Sequence, residues 1–137
     1  MTSKIYLIEA VEVIEINKMV CLDSGNRFQC LEESIVEDAL DSTFYPGAYP
    51  LHHGDIAQIA GALSFFLTQA NAFHDGNKRT ALITSLAFLN LNGWDLEYRH
   101  EEGPSKLSQI IHSVSKGKMP LEKLKTWYDT RKVRLKN

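Results

Sequence analysis

GDIAQIAGALSFFLTQA-NAFHDGNKR-TALITSLAFLNLNG, residues 54–93, decides the fold. In its first part Ile56, Ile59, Ala60, Leu63, Phe66, Leu67 and Ala70 recur at three- and four-residue intervals, which predicts a long packed helix over Gly54 to Ala70. In its last part Ala81, Leu82, Ile83, Leu86, Ala87, Phe88, Leu89 and Leu91 occupy nearly every face of a second helix, so that helix is expected to be surrounded by others, with Gly93 at its C-terminal cap. A polar break separates the two.

Outward from this pair the chain reads as further short helices. Ile5 to Val20 carries Val11, Ile14 and Lys18 on one face and Glu9, Glu12 and Glu15 on another, a spacing that favours helix over the strand its Val and Ile content suggests. Asp23 to Asn26 reads as a loop, and Leu31 to Asp41 as a short helix on Leu31, Ile35, Ala39 and Leu40. Thr43 to Pro50, TFYPGAYP, has two prolines and a glycine and is expected to be a small hairpin or extended flap. Pro104 and Ser105 open a helix carrying Leu107, Ile110, Ile111 and Val114 that stops at Gly117. Pro120 stands where a first-turn proline belongs, ahead of Leu121, Leu124, Trp127 and Tyr128. With no convincing strand ladder, the expected fold is all-α, one compact helical domain over residues 1–137 with the flap before the core helices.

Composition agrees with one domain. A chain of 137 residues buries roughly two thirds of the surface its unfolded form exposes. Apolar residues at 44%, four prolines and eight glycines exclude a disordered or fibrous chain. The formal net charge of -2 argues against non-specific nucleic-acid binding. The charge is uneven: the last twenty residues hold seven basic against two acidic side chains, and the basic tail 131–137 is either a dock for an acidic partner or a solvated end. Cys21 and Cys30 lack metal-site spacing and read as free thiols. Met1 to Lys18 alternates apolar and acidic residues unlike a signal peptide, and no apolar run reaches the roughly 18 residues of a membrane span, so a cytoplasmic location away from membranes is expected.

Chemistry is expected at the polar break. Gly76, Asn77, Lys78 and Arg79 fall at the start of the apolar helix, where free backbone N–H groups and partial positive charge can hold a phosphate. Gly76 lets the backbone come close, Arg79 offers a planar fork and Lys78 a further charge. Asp75 either caps the helix or holds a divalent ion that bridges phosphates. An ordinary helix start with solvated basic residues is the competing reading. Two cations at the positive end of a helix are better explained if an anion sits there.

Asn71-Ala72-Phe73-His74-Asp75-Gly76-Asn77-Lys78-Arg79-Thr80-Ala81 closely resembles the signature of the Fic/Doc (Fido) family, His-x-Phe-x-Asp/Glu-Gly/Ala-Asn-Gly/Lys-Arg, in its death-on-curing form with Lys before the Arg. YLIEAVEVIEINKMV, ALDSTFY, SLAFLNLNGW and KLSQIIHSVSKGKMPLEKLKTWYDTR resemble that family's opening helix, second-helix end, central helix and closing helix pair, so the likeness runs from about Ile5 to Arg131. The resemblance implies that Phe73 is a buried anchor, that Asp75 is a magnesium-binding carboxylate, that Gly76, Asn77 and Lys78 shape an anion hole, and that Arg79 holds nucleotide phosphate. It implies ATP and Mg2+ as cofactors. Thr43 to Pro50 would be a flap that docks a target segment by strand addition, with Phe44, Tyr45 and Tyr49 either docking residues or core filler.

Lys78 points to the death-on-curing branch, toxins similar to a protein kinase that phosphorylates elongation factor Tu; AMP transfer to a protein hydroxyl is the alternative. The family's inhibitory Ser/Thr-x-x-x-Glu-Gly/Asn helix is not encoded, since Tyr98 stands four residues before Glu102-Gly103. An antitoxin-like protein supplied in trans is therefore implied, with a disordered tail that folds on binding.

The chain departs from the pattern at Asn71, where the family has its general-base histidine. An amide orients a hydroxyl but cannot take its proton near neutral pH. Asn71 is an engineered replacement, a natural degeneracy in a non-catalytic binding protein, or the mark of a different reaction. His52, His53, His100 and His112 form no i,i+4 metal pair and read as surface or packing residues, as Trp94 and Trp127 read as core.

Overall fold

A computed structural model of the protein describes residues 4–45, 53–97 and 105–135. The described residues form α1 (Ala10–Ser24), α2 (Glu33–Phe44), α3 (Ile56–Ala70), α4 (Asn77–Leu91), β1 (Trp94–Leu96), α5 (Ser105–Ser115), α6 (Leu121–Asp129) and β2 (Lys132–Arg134). The fold is all-α, as the periodicity predicts. No described helix is long and apolar enough to cross a membrane.

The most enclosed element is α3 rather than α4. Ala57, Ile59 to Ser64, Leu67 and Thr68 are all buried, and α3 packs against α2, α4, α5 and α6. Its run of small residues brings neighbouring backbones close. At Gly61 an added Cβ would stand 2.9 Å from Lys125 Cα and 3.2 Å from the Leu124 carbonyl oxygen of α6. In α4, Phe88 and Leu89 are fully buried but Leu82, Ile83, Leu86 and Ala87 are half-buried and Leu91 is exposed, so the expectation that α4 is surrounded fails. Apolar residues outnumber the neighbours available to cover them.

Both N-terminal helices are displaced from their sequence readings. The Glu9 amide donates to Glu12 Oε1 at 3.1 Å, and this start places α1 at Ala10 rather than Ile5. The helix closes at Gly25, whose φ of 71° is left-handed and whose N–H reaches the Cys21 and Leu22 carbonyls. Its buried face is Val13, Asn17, Val20 and Cys21, whereas Val11, on the face read with Ile14 and Lys18, is exposed. Helix α2 runs on through Thr43 and Phe44, so the expected flap cannot begin at Thr43. The Thr43 hydroxyl donates to the Ala39 carbonyl at 2.8 Å, and the buried Phe44 ring lies 5.6 Å from that of Phe88. Phe44 is core, a correction to its candidacy as a docking residue. Tyr45 is exposed at the end of α2; Tyr49 and the remainder of the flap lie outside the described residues.

The short antiparallel ribbon β1–β2 was not legible, because each strand is three residues long and its partner is remote in sequence. It brings part of the basic tail into the fold. The Arg134 guanidinium stacks 4.4 Å from the Trp94 ring centroid, and Arg131 does the same on Trp127. Lys132 Nζ bonds Asp55 Oδ2 at 2.6 Å and Asp129 Oδ1 at 2.8 Å, which ties β2 to the α3 N-cap. Lys132 is thereby held in the fold, while Arg134 and Leu135 remain exposed.

Two stability predictions follow from these contacts. Gly61→Ala should destabilise the fold by about 1–3 kcal/mol in urea unfolding, because its Cβ meets α6 backbone that cannot swing aside; a variant as stable as the parent would show that α3 and α6 separate freely. Burial alone would push the Asp55 carboxyl up, but hydrogen bonds from Lys132 and the Gln58 amide outweigh it and hold the group below its usual range. Its stabilising contribution is therefore present above the ordinary carboxylate titration and is lost as pH falls through the depressed folded-state value. Lys132→Met should flatten that acid limb in pH-dependent unfolding, and an unchanged limb would rule the pair out as its source.

Candidate functional site

Asn71 ends α3 as its C-cap with φ 51° and ψ 46°, the sole non-glycine residue with positive φ among those described. Asparagine tolerates this left-handed conformation better than most residues, which gives Asn71 a conformational reason independent of catalysis.

The loop that follows is tied at three points. Phe73 is buried and forms an isolated antiparallel bridge with Cys30, with Leu31 N–H donating to the Ala72 carbonyl and His74 N–H to the Gln29 carbonyl, each at 2.9 Å. The Asn77 carboxamide closes the loop on itself: Oδ1 accepts from the Phe73 amide at 3.0 Å and Nδ2 donates to the Phe73 carbonyl at 2.8 Å. The third tie comes from α1. Asn17 is fully buried, and its Nδ2 donates to the Asp75 carbonyl at 2.8 Å and to Thr80 Oγ1 at 3.0 Å.

Gly76 then enters α4 at φ 75°, where a Cβ would lie 3.0 Å from Val20 Cγ1 and 3.2 Å from Asn17 Nδ2. Both the backbone sign and the lack of room demand glycine. Beside it the Cys21 Sγ sits 3.7 Å from the Asp75 carbonyl oxygen, and burial, with Asp75 adding to it, pushes this thiol up. It behaves as a packing thiol.

These ties place Asn71, His74, Asp75, Gly76, Asn77, Lys78 and Arg79 on the wall of one cavity of about 730 Å³ at the N-terminus of α4. Such a volume suits a drug-sized or nucleotide-sized ligand. Val20 and Ser24 of α1 close one side, and Ser108 and His112 of α5 with Lys116 of the turn after it line another. His112 and Lys116 are the residues that sequence reading missed. His112 is on the polar stripe of an amphipathic helix whose other face is Leu107, Ile110, Ile111 and Val114, Lys116 follows in the turn at its end, and no stripe says what lies opposite it. Of the other histidines, His53 packs, with Nε2 at 2.9 Å from the Ser42 carbonyl and its ring against Phe66; His52 and His100 lie outside the described residues.

The charged groups are already arranged around one another. Arg79 Nη2 donates to Asp23 Oδ2 at 2.9 Å and Nη1 to Ser24 Oγ at 3.0 Å, so its fork faces the end of α1. An incoming anion must share that guanidinium with Asp23 or displace it. Lys78 Nζ lies 3.2 Å from His112 Nδ1. The Asp75 carboxylate is about 40% exposed, with His74 Nε2 at 3.7 Å. No cluster of three or more His, Cys, Asp or Glu able to hold a metal occurs among the described residues. Asp75 alone still fits magnesium in the manner usual for nucleotide sites, one carboxylate with substrate phosphates and water completing the shell.

No family model matches the chain, and no curated protein matches its sequence.

The Asn17 tie is testable by itself. Asn17→Ala strands the buried Thr80 hydroxyl and takes one donor from the part-buried Asp75 carbonyl, which should cost about 1–3 kcal/mol in urea unfolding. A loss below about 0.5 kcal/mol would mean that water or another donor replaces the carboxamide.

Proposed function

We propose that the chain is a Fido-type phosphoryl transferase of the death-on-curing toxin class, moving the γ-phosphoryl group of ATP to a protein hydroxyl, with its chemistry impaired by Asn71. The observation that carries this reading is the convergence of Asn71, Asp75, Gly76, Asn77, Lys78 and Arg79 on one cavity at a helix N-terminus. In this reading the first amides of α4 and the side chains of Lys78 and Arg79 bind the polyphosphate. Asp75 is the carboxylate that would hold Mg2+, whose chemistry is to neutralise charge on the phosphate oxygens. Asn77 acts through the backbone, by holding the loop in the shape that presents those amides. Asn71 can orient the attacking hydroxyl but cannot accept its proton, a loss of roughly 10²- to 10⁴-fold in rate.

Lys78 favours phosphoryl over nucleotidyl transfer in this reading. Its side chain fills part of the space a polyphosphate tail would otherwise enter, which favours presenting the terminal phosphate to the target. AMP transfer remains the alternative within the same chemistry. The partners in this proposal are a protein substrate, such as a translation factor, and an inhibitory antitoxin-like polypeptide, for which Val11, Met19 and Leu22 offer exposed apolar surface on α1.

The left-handed C-cap at Asn71 favours a second reading, a non-catalytic domain that binds a nucleotide or polypeptide without turnover. Incubating the Asn71→His protein and the parent with ATP labelled separately at the α- and γ-phosphates, in cell extract, separates these readings. The expected outcome is γ-label on protein with Asn71→His at a rate at least about 10²-fold above the parent. Label from the α-phosphate would instead mean AMP transfer, and no label from a folded Asn71→His protein would favour the non-catalytic domain.

A further inference from the structure

We propose that Thr68 is a ligand-binding residue of the cavity, its hydroxyl taking the neutral nucleoside end of a nucleoside phosphate whose charged end stays at the rim. The inference rests on the nucleotide reading of the site and adds to it a residue of α3 that lies outside the stretch 71–79. A buried hydroxyl in a helix commonly bonds a carbonyl three or four residues back. Thr43 does so to Ala39 at 2.8 Å, and Ser64 to Gly61 and Ser85 to Leu82 at 2.9 Å each. Thr68 and Thr84 do not: in both the hydroxyl oxygen is buried and has no hydrogen-bond partner. Thr84 is fully buried away from the cavity, whereas Thr68, 5% exposed, is part of the cavity wall. An unpaired buried hydroxyl is destabilising, and one beside a cavity can be answered by what enters there. Its oxygen is covered, so the contact takes a turn about χ1. A helical threonine has two wells open to it, and no hydrogen bond holds Thr68 in the present one.

The polarity of the wall decides which part of a ligand meets Thr68. Its buried residues are Val20, Thr68 and Ile111, so the floor is apolar apart from one hydroxyl. The cations Lys78, Arg79 and Lys116 are all exposed, at the rim. An anion carried to the floor would leave water with no cation to receive it, so the charged end stays outside and the group that reaches Thr68 is neutral. A bare phosphate fills only a small part of about 730 Å³. The ligand that matches both ends carries phosphate on an apolar-faced body with a neutral hydrogen-bonding edge, which is the chemistry of a nucleoside phosphate. A threonine hydroxyl both donates and accepts, so a sugar hydroxyl or a base edge can pair with it.

ATP and tripolyphosphate are the probes, since the second has the charged end alone. Calorimetric titration of the full chain with magnesium should show Thr68→Val binding ATP about fivefold to tenfold more weakly than the parent, with tripolyphosphate affinity unchanged. Thr68→Ser, which keeps the hydroxyl, should restore most of the loss. ATP should move the Thr68 γ-methyl resonance, and tripolyphosphate should leave it in place. In urea unfolding without ligand, Thr68→Val should be as stable as the parent or more so, because the hydroxyl it removes has no partner to lose. A less stable Thr68→Val protein would show that the hydroxyl already has one, such as an enclosed water, and would overturn the proposal. Equal ATP affinity in parent and Thr68→Val, or equal weakening of both probes, would overturn the role of Thr68 and leave the nucleotide reading standing. If neither ATP nor tripolyphosphate binds the parent, the nucleotide reading falls, and this inference with it.

Discussion

A carboxamide with no access to water must find its partners inside the protein, and Asn17 finds them on the loop that begins α4. Its two donor contacts, to the Asp75 carbonyl and the Thr80 hydroxyl, join the first helix to the turn in which every candidate site residue lies. Gly76 is the steric counterpart of the same junction, since a Cβ there would meet both Val20 and Asn17. The entry of the chain into α4 depends on these contacts, the buried polar part of a junction whose exposed part is the pairing of Arg79 with Asp23 and Ser24. Removing the carboxamide leaves the buried Thr80 hydroxyl without its partner, which is why its cost should exceed that of an ordinary surface hydrogen bond.

The electrostatics of the cavity follow from where its walls originate. Helix α4 presents its positive end, α5 presents its C-terminal turn and α1 ends at Asp23 and Ser24. Lys78 and Arg79 stand against the positive end of α4 and Asp23 against the negative end of α1, and the three helices meet around one space. Arg79 is consequently claimed by α1 and Lys78 by α5. A ligand competes with an existing set of polar contacts, so its affinity reflects an exchange of partners and cannot be read from the count of basic residues.

Much of the helical order was legible because periodicity is a local property. The stretch from Ile56 to Leu91 declares two helices and a polar break, and α5 and α6 begin close to where Pro104, Ser105 and Pro120 suggested. The errors also have local causes. Val and Ile near the N-terminus masked the Glu9–Glu12 start of α1, and the prolines after Tyr45 suggested that Thr43 and Phe44 had left the helix. Burial of Phe44 against Phe88 outweighs that signal, since a large aromatic side chain gains more from the core than from a flap.

The order of helices and the polar break at residues 71–79, with the permissive Gly76 inside it, were determined by the sequence, because hydrophobic spacing and backbone permissiveness act over a few residues. Only the tertiary structure decided that Asn17 holds that loop, that Arg79 turns toward Asp23, that His112 stands beside Lys78 and that β2 reaches back to Trp94. Each of these is a contact between segments far apart along the chain. No spacing rule specifies such a partner, because it is selected by how helices of given length and face pack around the buried surface of α3.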